Sequence, residues 1–274
     1  MWRQGWESYP LNALQLYDVS ENKLRITDHS SLDGVTYARR KAEGDDYRQE
    51  NPTQNYSITM TKYRIGLSSL VTWEMRTYDK YREIKNRLNN LGESAARKLD
   101  LDLTHRFTFA TSTSFTDQDG ISVSNDIGDA LSLSNTAHTV TGSSTTYRNR
   151  VANNPAFGRT GLEAAELLFA TQMLKSDGTV ITVDPDTIIT TNVPEQINKV
   201  REFLNSTASP NASHEGVTNV YKAKYNHVIL PKLASTVTGG RDSTKETWWF
   251  LAAIKHTDAI LEISEQPHLI APSP

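Results

Sequence analysis

Ile84-Lys85-Asn86-Arg87-Leu88-Asn89-Asn90-Leu91, followed by Ala95-Ala96-Arg97-Lys98-Leu99-Asp100-Leu101-Asp102-Leu103, carries the longest periodic pattern in the chain. Ile84, Leu88, Leu91, Ala95, Leu99, Leu103, Phe107 and Ala110 recur at steps of three and four, which puts them on one stripe of a helix. The spacing predicts one helix over Thr77 to Ala110, roughly 45 Å long at about 1.5 Å per residue. Its other face carries Lys80, Arg82, Lys85, Arg87, Glu93, Arg97 and Lys98. Gly92 interrupts the helix and is expected to weaken it, by about 1 kcal/mol relative to Ala.

Upstream of this helix the chain changes character. Residues 1 to 30 hold scattered aromatics (Trp2, Trp6, Tyr9, Tyr17) and one short apolar run from Leu11 to Val19, the pattern of an arm docked on a neighbour and not of a core element. Gly34 to Tyr63 is polar and densely charged, with Arg39-Arg40-Lys41 set against Glu43-Gly44-Asp45-Asp46. Beyond Pro52, Tyr56, Ile58 and Met60 alternate with Ser57, Thr59 and Thr61, the period of two of a strand with one apolar face. Two extended limbs around a turn region make a long hairpin, which has too few apolar residues to stand alone in water. It needs a surface to lie on, and its mixed charges suit repeated contact between identical subunits.

Downstream, Ser112 to Asn154 reads as loops and short strands, being rich in Ser, Thr, Asn, Asp and Gly. A helix is expected from Gly161 to Lys175, with Leu162, Ala165, Leu168, Phe169 and Met173 on one face, and a second from Pro194 with Ile197, Val200, Phe203 and Leu204 inward. Val180 to Val183, Thr187 to Thr191, Val228 to Leu230 and Trp248 to Ile254 read as strands. Residues 161–262 are therefore expected to form a compact unit of helices on a sheet.

Composition and motifs point away from catalysis. The 29 Lys and Arg against 32 Asp and Glu give no excess that would drive nonspecific nucleic-acid binding by the whole chain. Cysteine is absent, so there is no disulfide and no thiol nucleophile. The start, Met1-Trp2-Arg3-Gln4-Gly5-Trp6-Glu7, has no secretory pattern, and no later stretch approaches the roughly 20 apolar residues of a membrane span. His29, His105, His138, His214, His227, His256 and His268 show no metal-binding spacing, and no metal or cofactor is expected. His138 with Asp129 or Asp126 is the one grouping that suggests a hydrolytic triad, but no GxSxG elbow accompanies it. Thr238-Gly239-Gly240-Arg241-Asp242-Ser243-Thr244-Lys245 lacks the ending of a phosphate loop and reads as a turn ahead of the Trp248 strand.

The polar segment Asp129-Ala130-Leu131-Ser132-Leu133-Ser134-Asn135-Thr136-Ala137-His138-Thr139, set between the long helix and the helix at Gly161, resembles the middle of a tailed-bacteriophage major capsid protein of the Hong Kong 97 type. Ala42-Glu43-Gly44 with Tyr47 resembles that family's extended loop, and Leu67 to Met75 with the helix to Ala110 resembles its spine. Asp184-Pro185-Asp186-Thr187-Ile188-Ile189, Glu195 to Leu204, Val220 to Leu233 and Trp248-Trp249-Phe250-Leu251-Ala252 resemble its axial domain in order and spacing.

The resemblance implies an α+β fold: an N-terminal arm (1–30), an extended hairpin loop (31–66), a peripheral domain with a spine helix (67–160, helix 77–110) and an axial domain with a central sheet and flanking helices (161–262). Residues 263–274 would return toward the peripheral domain, cut short where the family continues with a strand. The implied role is structural and not enzymatic: a subunit that assembles as hexamers and pentamers into an icosahedral shell around double-stranded DNA, in the virion after assembly in the host cytoplasm. Portal, scaffold and decoration proteins are the implied partners, with no membrane and no cofactor. On this reading Arg39, Arg40, Lys41, Glu43, Asp45 and Asp46 pair between subunits, and Lys85, Arg97 and Lys98 are candidates for facing DNA. An encapsulin-type compartment shell of the same fold, or a soluble hydrolase using His138, are the alternatives.

Overall fold

A computed structural model describes residues 2–32, 37–52, 54–78, 80–142, 144–175, 178–208, 218–256, 259–265 and 268–269 of the 274-residue chain. In chain order, helix α1 (Trp2–Ser8) leads through a short 3-10 turn (Ala13–Leu16) to strands β1 (Asp18–Glu21), β2 (Ile26–Leu32) and β3 (Gln54–Thr61). Helices α2 (Trp73–Thr77) and α3 (Tyr81–Thr108) follow. Four strands of two or three residues, β4 (Ser114–Thr116), β5 (Ser122–Ser124), β6 (His138–Thr139) and β7 (Thr146–Tyr147), pair as two hairpins, in keeping with the Ser and Thr-rich composition there. The last part comprises α4 (Arg159–Thr171), β8 (Thr187–Thr191), α5 (Pro194–Asn205), β9 (Asn226–Leu230), β10 (Trp249–Ala252) and β11 (Ile260–Ile263). Helix and sheet are mixed along the chain, as an α+β fold requires.

A three-stranded sheet in the order β10-β8-β9 organises the core, with β8 parallel to β9 and antiparallel to β10. All five residues of β8 are buried, because a central strand with both faces covered has no solvent side. Alternation divides them: Ile188 packs with Leu162 of α4 and Val200, Phe203 and Leu204 of α5, while Ile189 packs with Leu103 of α3, Val228 and Leu230. Leu99, Phe107 and Phe250 close this second face. Pro194 occupies the first turn of α5, where its missing N–H costs nothing.

The expected helix over Thr77 to Ala110 is present as the single helix α3, which starts four residues later and ends at Thr108. The Thr72 side chain accepts a hydrogen bond from Met75 N at 3.4 Å and starts α2, which ends at Thr77, and α3 begins afresh at Tyr81. Along α3 the apolar stripe is only partly covered toward the N-terminus, whereas Asp100, Leu101, Leu103, Thr104 and His105 are all buried. His105 sits edge-on between Phe109 and Phe115, and burial pushes its imidazole below the usual range.

Gly92 is a contact point and not a weak point. A Cβ there would lie 2.3 Å from Trp2 O, and one on Gly5 would lie 2.0 Å from Asn89 O, so α1 crosses α3 backbone to backbone. The N-terminal residues accordingly belong to this chain's own core: Ala13 and Leu16 are buried with Leu103 and Leu230, and the buried Asp100 carboxylate accepts from Ala13 N at 3.0 Å. Aromatics alone could not reveal that the partner of this arm is α3 of the same chain. Val180 to Val183 forms no strand; Ile181 N donates instead to Met173 O at 2.7 Å, and Pro185 follows without an N–H to offer a ladder.

Gly92→Ala would raise stability by about 1 kcal/mol in an exposed helix. Here it is expected to lower the unfolding free energy in denaturant titration by roughly 1–3 kcal/mol, through overpacking against Trp2. A stabilised variant would contradict the crossing.

Candidate assembly surface

Strands β2 and β3 form the expected hairpin, in register from Ile26 opposite Thr61 to Leu32 opposite Gln54, with an irregularity between Ser30 and Leu32. The first limb starts at Ile26, inside the stretch read as arm; Gly34, where the hairpin was expected to begin, lies outside the described residues. The stem rests on its own subunit. Tyr56 Oη and Thr139 Oγ1 are 2.9 Å apart, and Gly128, at φ 104°, lies so close to Tyr56 that a Cβ would meet its Cβ at 2.8 Å.

Residues 37–52 between the limbs hold no helix or strand, and all but Glu50 are exposed. Gly44, at φ 89°, makes the tip turn, closed by Asp45 N donating to Ala42 O at 3.3 Å. Lys41 Nζ lies 4.6 Å from the Tyr47 ring centroid, and Arg48 pairs with Glu50 at 2.6 Å. Arg39, Arg40, Lys41, Glu43, Asp45 and Asp46 are all exposed and make no ion pair among the described residues. The structure thus brings the six together on one tip, with their charges unspent within the subunit.

At the other end of the hairpin stands a group that sequence reasoning missed. Glu262 of β11 is almost fully buried, its side chain 7 % exposed. Its carboxylate accepts from Asn22 Nδ2 at 3.1 Å and Thr27 Oγ1 at 2.8 Å, lies 3.0 Å from His29 Nε2, and pairs with Lys62 Nζ at 3.2 Å. Lys62 Nζ also donates to Leu24 O at 2.8 Å. One carboxylate therefore ties β11 to the turn after β1, to the start of β2 and to the end of β3. Burial alone would raise its pKa, but the hydrogen bonds from Asn22, Thr27, Lys62 and His29 prevail and hold it down to about 2. Parallel pairing of β1 with β11, Asp18 opposite Ile260 to Glu21 opposite Ile263, brings these groups together. No local spacing announces a contact across more than two hundred residues.

A family model of phage capsid proteins matches residues 55–270. The chain belongs to the phage capsid protein family. No curated protein matches it. The matched span of this capsid protein starts at β3 and leaves out the arm, β2 and the charged tip.

Of the three cations read as facing DNA, only Lys85 is exposed with no ion pair among the described residues. Lys98 is mostly covered, between Asp102 at 3.0 Å and Asp119 at 3.5 Å; burial opposes its charge, but these carboxylates outweigh it and raise its pKa. Arg97 pairs with Glu93 one turn back and lies over the Tyr9 ring at 5.9 Å. Neither pairing was visible in the sequence, since a periodicity shows which residues share a face but not which acids flank them.

Asp129 and His138 of the capsid protein do meet, with Nδ1 2.7 Å from Oδ2 and both side chains essentially inaccessible. A triad would need a hydroxyl on the other ring nitrogen, yet His138 Nε2 has no hydrogen-bond partner among the described residues. The Tyr147 ring stacks on the imidazole at 5.2 Å, and burial, then the Asp129 carboxylate, raises the pKa of that phenol. The pair is an internal fastening for the loops behind the hairpin stem. Among the described residues no group of acids and histidines could hold a metal ion, and no helix is long and apolar enough to cross a membrane.

The Glu262 pKa gives a pH dependence with a definite sign. A carboxylate depressed on folding contributes stability fully above its unfolded value of 4.5, which is lost as pH falls toward about 2. Thermal midpoints of the wild type are expected to fall more steeply between these limits than those of Glu262→Gln, which should start lower at neutral pH. Parallel curves would contradict the clasp.

Proposed function

We propose that this capsid protein is the major head protein of a tailed phage, with a fold of the Hong Kong 97 type, and that it assembles into an icosahedral shell enclosing double-stranded DNA. In this reading residues 31–66 are the extended loop, 67–160 the peripheral domain with α3 as spine, and 161–262 the axial domain. Hexamers and pentamers of the chain are its assembly units, portal and scaffold proteins its assembly partners, and decoration proteins a further class of partner. Assembly takes place in the host cytoplasm and the product is the virion.

The observation that carries this reading is the tip of the hairpin. Six charged residues of both signs stand exposed beyond a stem held at its base by a buried carboxylate. Opposite charges on one element suit a head-to-tail contact, in which each copy presents its basic run to the acidic run or acidic surface of the next. A single such contact is weak, because exposed pairs contribute only about 0–1 kcal/mol each. Repetition around a closed shell makes the sum large. Lys85, Arg97 and Lys98 are the DNA-facing candidates on α3, the first without an ion pair among the described residues and the other two beside Glu93 and Asp102.

Arg39→Glu together with Arg40→Glu is expected to abolish assembly, followed by sedimentation, while the circular dichroism of the subunit stays unchanged. Particles that form as in the wild type would remove the hairpin contact. Nucleic acid inside wild-type particles would distinguish a genome shell from a protein-filled compartment.

A further inference from the structure

Between the end of the hairpin and the first turn of α2, the chain runs from Lys62 to Thr72 with neither helix, strand, turn nor bend. Two bonds tie this strap to α3: Tyr63 Oη donates to Asp102 Oδ2 at 3.0 Å, and Arg87 Nη1 donates to Leu70 O at 3.0 Å. Those anchors lie fifteen helix residues apart, about 22 Å at the helical rise. Seven strap residues span that length only when nearly extended, at about 3.3 Å each. Tyr63, Ile65 and Leu67 alternate with Arg64, Gly66 and Ser68, the period of a strand. Yet the ladder stops at Lys62 N donating to Arg25 O, and no backbone group from 63 to 71 bonds to another backbone group among the described residues.

Apart from the Tyr63 hydroxyl and the Leu70 carbonyl, which those two bonds engage, the stretch is exposed in side chain as well as in backbone. Tyr63, Ile65, Leu67, Leu70 and Val71 are all large and exposed, from 40 % at Val71 to 76 % at Leu70, and Trp73, Tyr78 and Tyr81 are exposed beyond the strap, at α2 and the start of α3. An extended segment whose N–H and C=O groups, Leu70 O apart, make no backbone bond among the described residues and whose apolar side chains alternate is what strand addition uses.

We propose that residues 63–71 are a strand acceptor, covered in the shell by an extended segment of a second copy of this chain. The occupant follows from three observations: the family is one of self-assembling subunits, the strap continues directly from β3 of the hairpin, and its apolar side chains Ile65, Leu67 and Leu70 are exposed. The proposal rests on the shell reading and adds to it a second contact, apolar and main-chain in character, beside the charged tip.

Hydrogen exchange of amides 63–71, compared between unassembled subunits and sedimented particles of the full chain, tests it. The expected result is free exchange in the subunit and protection of about tenfold or more in the particle, as follows from losing an N–H to a stable partner bond. Ile65→Ser with Leu67→Ser should raise the concentration needed for assembly by about tenfold or more, with the subunit fold intact because both side chains are exposed. Particles whose strap exchanges as freely as in the subunit overturn this proposal and leave the shell reading standing. Protection already complete in the lone subunit overturns it as well, since the cover would then be intramolecular. Protection that appears only when a different protein is added overturns the choice of partner. A chain that never self-associates overturns both readings together.

Discussion

Everything in this subunit hangs from the narrow, partly polar face of α3. At Gly92 there is no side chain, so the backbone of α1 can lie directly on the helix. Two turns on, Asp100 is fully buried and its carboxylate receives Ala13 N, while Thr108 Oγ1 donates to Leu233 O at 3.0 Å. Burying a carboxylate is unfavourable, and its raised pKa reflects burial first, opposed by the hydrogen bonds from Ala13, Tyr9 and Asn12. What that cost secures is a fixed path for the N-terminal residues. With Ala13 and Leu16 in the core, β1 starts in a defined place, and β11 pairs with it.

From that chain of constraints follows the mechanics of the hairpin. Its base is fastened through Glu262 and Lys62, its stem touches Gly128 and Thr139, and its tip touches nothing among the described residues that would neutralise its charge. A projection built this way is fastened at its root and exposed at its end. Such a design suits a subunit whose contacts lie outside itself: the base is fixed on folding, and the charges of the tip remain to be paired on association. The exposed strap from Tyr63 to Val71 extends the same logic along α3.

Much of this was legible in the residues. Local periodicity located α3, α4, α5, β8, β9 and β3, because each covers a core with a repeat of its own, and the Ile188 and Ile189 pair declared a strand buried on both faces. What escaped was long-range. Gly92 reads as a helix defect until Trp2 is placed against it, and Lys98 reads as a free cation until Asp119 arrives from a distant loop. Glu262 lies in an unremarkable strand, and its four partners are set by the register of β1 against β11, which no spacing encodes. The charged tip was visible as a run of residues, but the fastening that projects it was not.

The central claim is that this chain builds a shell through its hairpin. Cryo-electron microscopy of the purified protein after assembly tests it most directly. The account predicts closed shells in which residues 37–52 of each subunit lie against a neighbouring copy. Shells whose hairpin tips stand free in solvent, or a chain that stays a homogeneous small species under all assembly conditions, would contradict it.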